Sequence, residues 1–339
     1  MATPKKIWAR PILALLVAIA AVWLSVRQVD WPRLGEALAD VQLGFLGLAL
    51  LAVLATTAIK AARWQVMLRP CIPHIPLART LRVLLIGQMA NSLLPRLGDL
   101  ARALLLGPQA QGGIPAVLGT ILAEKALDGV MGLLLLLALA LMTPLPTWLR
   151  GPLLGLATLT AGLILALVWA GRQPSAPGRI LARILSALPA GLGGRLERLA
   201  AGLGLGLGLF RQPGRALVAL ALSAAIWGLA ALTNILTLAA LGVAAPAWSA
   251  WLVVVTGYAA TFLPTVPAQI GVFEYAAVLS LEAGGMAPEP ALAFALVLHL
   301  VVYAPPALLG PLSMAVEGLS WRELQAARPA MLEGDHVSG

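Results

Sequence analysis

Apolar runs of near-spanning length, parted by short polar or proline-containing breaks, set the pattern of the chain. Ile7 to Val26, Leu43 to Ile59, Ile114 to Met142, Pro152 to Ala170, Ala216 to Gly242 and Ala291 to Val316 are each close to or beyond the roughly 20 residues with which a helix crosses about 30 Å of hydrocarbon. None alternates with the period of two that a barrel strand would show. A backbone in hydrocarbon must satisfy its own polar groups, so these runs predict about six full α-helical spans.

Two further segments are apolar yet interrupted, Thr80 to Leu106 and Trp248 to Ala283. The first rises from Leu81, breaks over Asn91-Ser92-Leu93-Leu94-Pro95-Arg96-Leu97-Gly98-Asp99 and returns over Leu100 to Leu106. The second breaks over Leu263-Pro264-Thr265-Val266-Pro267-Ala268-Gln269-Ile270-Gly271 and returns from Val272 to Leu281. Proline removes a backbone donor and disfavours helix in the residue before it, while glycine permits a close turn. Pro95, Gly98, Pro264, Pro267 and Gly271 therefore predict two re-entrant hairpins, each a pair of half-helices meeting near the middle of the bilayer.

Composition agrees with a membrane protein. Of 339 residues, 60% are hydrophobic and 11% charged, and the mean hydropathy is +0.92, beyond what a water-soluble core needs. The net charge of +9 does not point to nucleic acid, because the basic residues are scattered through short connections. Read by the positive-inside rule, the N-terminus with Lys5, Lys6 and Arg10, the segment Lys60 to Arg82, and the connection Arg172 to Arg215 with its seven arginines are expected in the cytoplasm. Arg27 to Asp40, Thr143 to Gly151 and Glu282 to Pro290 are charge-poor or acidic and are expected outside. The first hairpin then enters from the cytoplasm and the second from the opposite side. Both termini are expected inside a cell (inner) membrane. The basic N-terminus also imitates a cleavable signal peptide, but the topology needs that helix as a span. Cys71 is alone, and three scattered histidines make a metal site improbable; no cofactor is expected.

The order span, span, hairpin, span occurs twice, and an odd number of crossings in the first half inverts the second. The fold class expected is therefore an all-α polytopic membrane protein built as an inverted repeat. Residues 1–318 form the membrane domain, with 1–142 as first half, 151–318 as second half and 171–215 as a basic connection containing an amphipathic helix; 319–339 form a short polar tail. Interrupted segments at matching places in two inverted halves point to a binding site at the bilayer midplane. The alternative is a pair of kinked structural helices.

Ionisable groups within hydrocarbon are functional candidates by default. Arg96, Asp99 and Arg102 follow the first break, the last two on one helical face. Glu124, Lys125 and Asp128 lie in an otherwise apolar span, where the two carboxylates, four residues apart, need a proton, a cation or a partner such as Arg102. Glu274 follows the second break, with His299 as a possible partner. Asn91 and Gln269 could line a hydrated cavity or cap the half-helices. Each charge could equally be an internal pair that only fixes packing.

At these residues the chain resembles the transmembrane region of lysylphosphatidylglycerol synthases and their stand-alone flippase-like relatives, from about the first span to Leu312. The family pattern of Asn, Leu-Pro, Arg, Gly-Glu and Arg stands as Asn91, Leu94-Pro95-Arg96, Gly98-Asp99 and Arg102, with aspartate for glutamate. Glu-Arg followed by aspartate stands as Glu124-Lys125 and Asp128. Leu-Pro, Pro-Gly-Gly and Gly-Val-Phe-Glu stand as Leu263-Pro264, Pro267-Ala268-Gln269 and Gly271-Val272-Phe273-Glu274, without the double glycine. His299 stands where relatives often have arginine. The resemblance implies translocation of a lipid, such as aminoacylated phosphatidylglycerol or a polyprenyl or hopanoid lipid, by a non-enzymatic transporter without a cytosolic aminoacyl-transfer domain. Arg96, Arg102 and Lys125 would meet a headgroup phosphate, with Asp99, Glu124, Asp128 and Glu274 balancing charge or carrying protons. Membrane lipids are the expected partners, with a second copy of the chain and lipid-modifying enzymes as further candidates. An intramembrane lipid-modifying transferase and a non-transporting scaffold are the alternatives.

Overall fold

The computed structural model describes residues 4–94, 97–143, 201–263 and 266–320, with isolated positions between 147 and 199. The labelled helices are α1 (Pro4–Val26), α2 (Trp31–Ala39), α3 (Leu43–Leu68), α4 (Leu77–Leu93), α5 (Leu97–Leu106), α6 (Gly113–Met142), α7 (Pro213–Ala240), α8 (Ala247–Ala260), α9 (Val272–Glu282) and α10 (Pro288–Val316), with a short apolar helix Ala201–Arg211 before α7. No strand occurs among the described residues. The helices α3, α6, α7 and α10 are long and apolar enough to span a membrane, and α1 from Leu13 with α2 is an apolar pair bent by 84°, either a broken span or a re-entrant loop. The expected span from Pro152 to Ala170 and the amphipathic helix of the basic connection lie largely outside the described residues, as does the tail beyond Ser320.

Two elements differ from the sequence reading. The stretch before Asp40, read as a loop, contains α2, which starts with a proline in its first turn and turns Leu34 inward against α10. Helix α3 does not stop at Ile59 but runs through Lys60 and Arg63 to Leu68. Arg63, read as a cytoplasmic loop residue, is only 1% exposed. Hydropathy ends a span at its first charge, but a paired charge can stay inside a bundle.

Helices α3 and α7 form the longest packed pair. The backbone N–H of Gln42 donates to the carbonyl of Ala240 at 2.7 Å, and Arg63 donates to the Ser223 hydroxyl at 2.8 Å. One end of α3 thus meets the opposite end of α7, and the pair is antiparallel. Ala49 and Ala61 on α3 and Ala219 and Ser223 on α7 are fully buried. Small residues let helix backbones approach when no hydrophobic effect drives them together.

Both interrupted segments fold back as pairs of short helices. In the first, Gly98 of α5 sits against the backbone of Gly87 on α4, where an added Cβ would collide with the Gly87 carbonyl oxygen. In the second, the Thr256 hydroxyl of α8 lies 2.7 Å from that of Ser280 on α9. The rising arm of each hairpin packs on the last span of the other half: α4 on α10 and α8 on α6. The first of these pairings is antiparallel, with Arg82 Nε 2.6 Å from Glu317 and Met89 seated on Gly310.

Candidate functional site

Helix α4 gives way at Leu94, whose backbone is extended (φ −143°, ψ 122°), and α5 starts at Leu97. Pro95 and Arg96 lie outside the described residues. Asn91 closes the turn: its side-chain oxygen accepts the Gly98 N–H at 2.8 Å, satisfying one of the donors that a helix start leaves open. The arms are so close that the Arg102 side chain runs beside Gly87, where a Cβ would fall 2.7 Å from its Cδ.

A network of charges ties this hairpin to α3 and α6. Arg102 lies 2.5 Å from Glu124 and 3.6 Å from Asp99, and its guanidinium stacks 3.9 Å from the centre of the Trp64 ring. Arg63 grips Asp128 with both terminal nitrogens, at 2.5 and 3.3 Å, and reaches Glu124 at 3.9 Å. Lys125 lies 3.8 Å from Asp99. The Trp64 indole N–H donates to Thr120 at 3.0 Å, which fixes the ring beneath Arg102. Planar guanidinium groups suit such two-pronged pairing and stacking. The two stacked carboxylates thus take separate partners: Arg102 serves Glu124, and Asp128 is held by Arg63, a residue absent from the sequence-derived site.

The second break is built differently. Pro264 lies outside the described residues, and Pro267 opens a single 3₁₀ turn to Gln269. Ala268 and Gln269, which replace the family's double glycine, both carry positive φ, 56° and 58°. Gly271 also has positive φ, 84°, and faces α1, where a Cβ would fall 2.7 Å from the Ala18 carbonyl oxygen and 2.8 Å from Val22. Only glycine fits there. The Gly271 N–H donates to Glu274 at 2.7 Å, and the other oxygen of Glu274 lies 2.6 Å from Nδ1 of His299. His299 stacks on Tyr303 at 4.3 Å, with Phe273 edge-on to both.

Between the hairpins lies a cavity of about 430 Å³, bounded by α3, α4, α7, α8, the second break and α10. Asn91 and Gln269 line it, as do Phe273 and Tyr303 beside the Glu274 and His299 pair. Asp99, Arg102, Glu124, Lys125, Asp128, Glu274 and His299 are not among the residues that line it. Lys60, Asn234 and Tyr258, which the sequence reading passed over, do line it. Asn234 was legible as an amide within an apolar span; its side chain donates to the Ala250 carbonyl at 2.9 Å and joins α7 to α8. Lys60 and Arg63 offered a weaker signal, a pair three residues apart hidden by their likeness to a loop. Tyr258 links the cavity to the charge network, its hydroxyl 3.5 Å from the Lys125 carbonyl.

No curated protein and no solved structure matches the chain. The sequence profile described as the lysylphosphatidylglycerol synthase TM region matches residues 12–310. With nearly the whole membrane domain covered, the chain is a multi-pass membrane protein that belongs to the lysylphosphatidylglycerol synthase transmembrane-region family.

Proposed function

We propose that this protein is a flippase-like transporter, not an enzyme, that carries lipid headgroups across the cytoplasmic membrane through the cavity between its hairpins. The observation that carries this reading is the cavity itself: a chamber of about 430 Å³ inside a bundle of apolar helices, apolar over most of its wall but set with amides, hydroxyls and Lys60, and touched by both breaks through Asn91 and Gln269. Its size falls in the range of small-molecule sites. A headgroup held there would exchange water for amides and hydroxyls while its acyl chains stay in lipid.

The inverted repeat belongs to this proposal. It is supported by the antiparallel α3 and α7, by the reciprocal packing of α4 on α10 and α8 on α6, and by charge contacts from the returning arm to the next span in both halves, Arg102 to Glu124 and Glu274 to His299. Two halves of this kind can rock about a fixed central site. The paired network of the first hairpin serves as frame, and the cytoplasmic position of both termini follows from the basic connections. The sequence contains no nucleotide-binding loop, so movement is driven by lipid gradients or coupled ions.

The test is reconstitution of the purified chain in vesicles carrying headgroup-labelled phospholipids. Labelled lipid should become accessible to an impermeant quencher faster than in protein-free vesicles, with the lipid chemically unchanged. Absence of acceleration for every lipid contradicts transport, and chemical conversion of a lipid would favour the enzyme.

A further inference from the structure

Among the described residues, the charges around the first hairpin leave one cation over. Asp99, Glu124 and Asp128 lie 3.8, 2.5 and 2.5 Å from Lys125, Arg102 and Arg63 respectively. Lys60 sits one turn before Arg63 on the same face of α3, and no carboxylate among the described residues is within ion-pair distance of it. Asp128 and Glu124 act on it only from farther away and are already held by Arg63 and Arg102. An ammonium in such a place is costly without a partner. Its side chain lines the cavity, whose wall contains no other charged residue among those described.

The uncharged wall is equally specific. The Asn91 oxygen is consumed by Gly98, which leaves its amide protons for the cavity. The hydroxyls of Thr56, Thr57 and Ser92 donate to Ala52, Val53 and Gln88 in their own helices, which leaves their oxygens as acceptors. The Asn234 amide donates to Ala250, which leaves its oxygen free to accept. The chamber therefore offers a cation and amide donors for an anion, acceptors for hydroxyls, and, among the described residues, no carboxylate for an amine.

We infer that Lys60 is the anion-binding residue of this cavity, and that its ligand is a singly negative lipid phosphodiester whose headgroup bears hydroxyls and no amine. This rests on the transport reading and names its substrate class, which differs from the aminoacylated lipid that the family resemblance implies.

Binding is the test, read without translocation. The full chain in nanodiscs or detergent is titrated with phosphatidylglycerol, phosphatidylethanolamine, lysylphosphatidylglycerol and soluble glycerophosphoglycerol. The native protein should favour phosphatidylglycerol by about 10-fold or more, the worth of one hydrogen bond to a charged group. Lys60→Gln should lose about that factor and Lys60→Arg should retain most of it. Equal affinity of Lys60→Gln and native protein, or native preference for either amine-bearing lipid, overturns the assignment. Displacement by glycerophosphoglycerol at matching concentrations would overturn it for the lipid in favour of the free headgroup. The ranking by native protein stands as a test even if Lys60→Gln does not fold. Correct selectivity without translocation would contradict the transport reading and leave this one supported.

Discussion

The first hairpin carries a cation on its returning arm, Arg102, and finds its carboxylate, Glu124, on the following span; the second carries the carboxylate, Glu274, and finds His299. The first pair joins a guanidinium to a carboxylate, is stacked on Trp64 and is continued through Arg63 into α3 and α7. The second joins a carboxylate to an imidazole, and Glu274 also holds the Gly271 N–H. Their backbones differ too. Gly87 and Gly98 let the first pair of arms touch, whereas the second break holds Ala268 and Gln269 in a conformation that costs a non-glycine residue about 1–2 kcal/mol. One hairpin is locked by charge and close contact; the other stores strain beside the cavity.

The largest effect that would break this contrast is expected at the locked side. Arg102→Ala leaves buried Glu124 with only Arg63, 3.9 Å away, and Arg63→Ala leaves half-buried Asp128 without its partner; each should destabilise the protein by about 3–5 kcal/mol. Thermal unfolding in detergent checks this, and the double replacement Arg102→Met with Glu124→Met should recover a large part of the loss. Gly98→Ala, which drives a methyl into the Gly87 carbonyl, should follow with about 1–3 kcal/mol. Glu274→Gln should cost less, about 1–2 kcal/mol, because the Gly271 N–H keeps an oxygen acceptor. A larger loss for Glu274→Gln than for Arg102→Ala would reverse the contrast between the locked hairpin and the strained one. The smallest effect has the opposite sign: Ala268→Gly should raise the unfolding temperature, worth about 1 kcal/mol, by relieving a positive φ.

The spans α3, α6, α7 and α10 and both hairpins were legible, because length and hydropathy mark spans and Leu94-Pro95 and Leu263-Pro264 interrupt them. Glu124 with Arg102 and Glu274 with His299 were legible as pairs, since charges in apolar helices must find partners. Arg63 was not, because its partner Asp128 is 65 residues away and a charge at a span's edge reads as a loop. Lys60 was lost for the same reason. The demand for glycine at 271 was visible only as a motif; its cause is the close approach of α1 through Ala18 and Val22, which no local pattern encodes. Only the folded chain shows that Lys60 lines the cavity while Asp99, Arg102, Glu124, Lys125, Asp128, Glu274 and His299 do not.

If lipid headgroups pass through the cavity between the hairpins, a bulky group fixed to its wall must block them. Cys71 is the only cysteine and is fully buried, so Ser92→Cys in the cavity wall and Leu300→Cys, on a face 64% exposed at the bundle surface, would each offer a single reactive thiol. Headgroup translocation in vesicles is then measured before and after a bulky maleimide. Labelling Ser92→Cys should stop translocation while labelling Leu300→Cys leaves it unchanged; unaltered translocation through a fully labelled Ser92→Cys protein would exclude the cavity as the path.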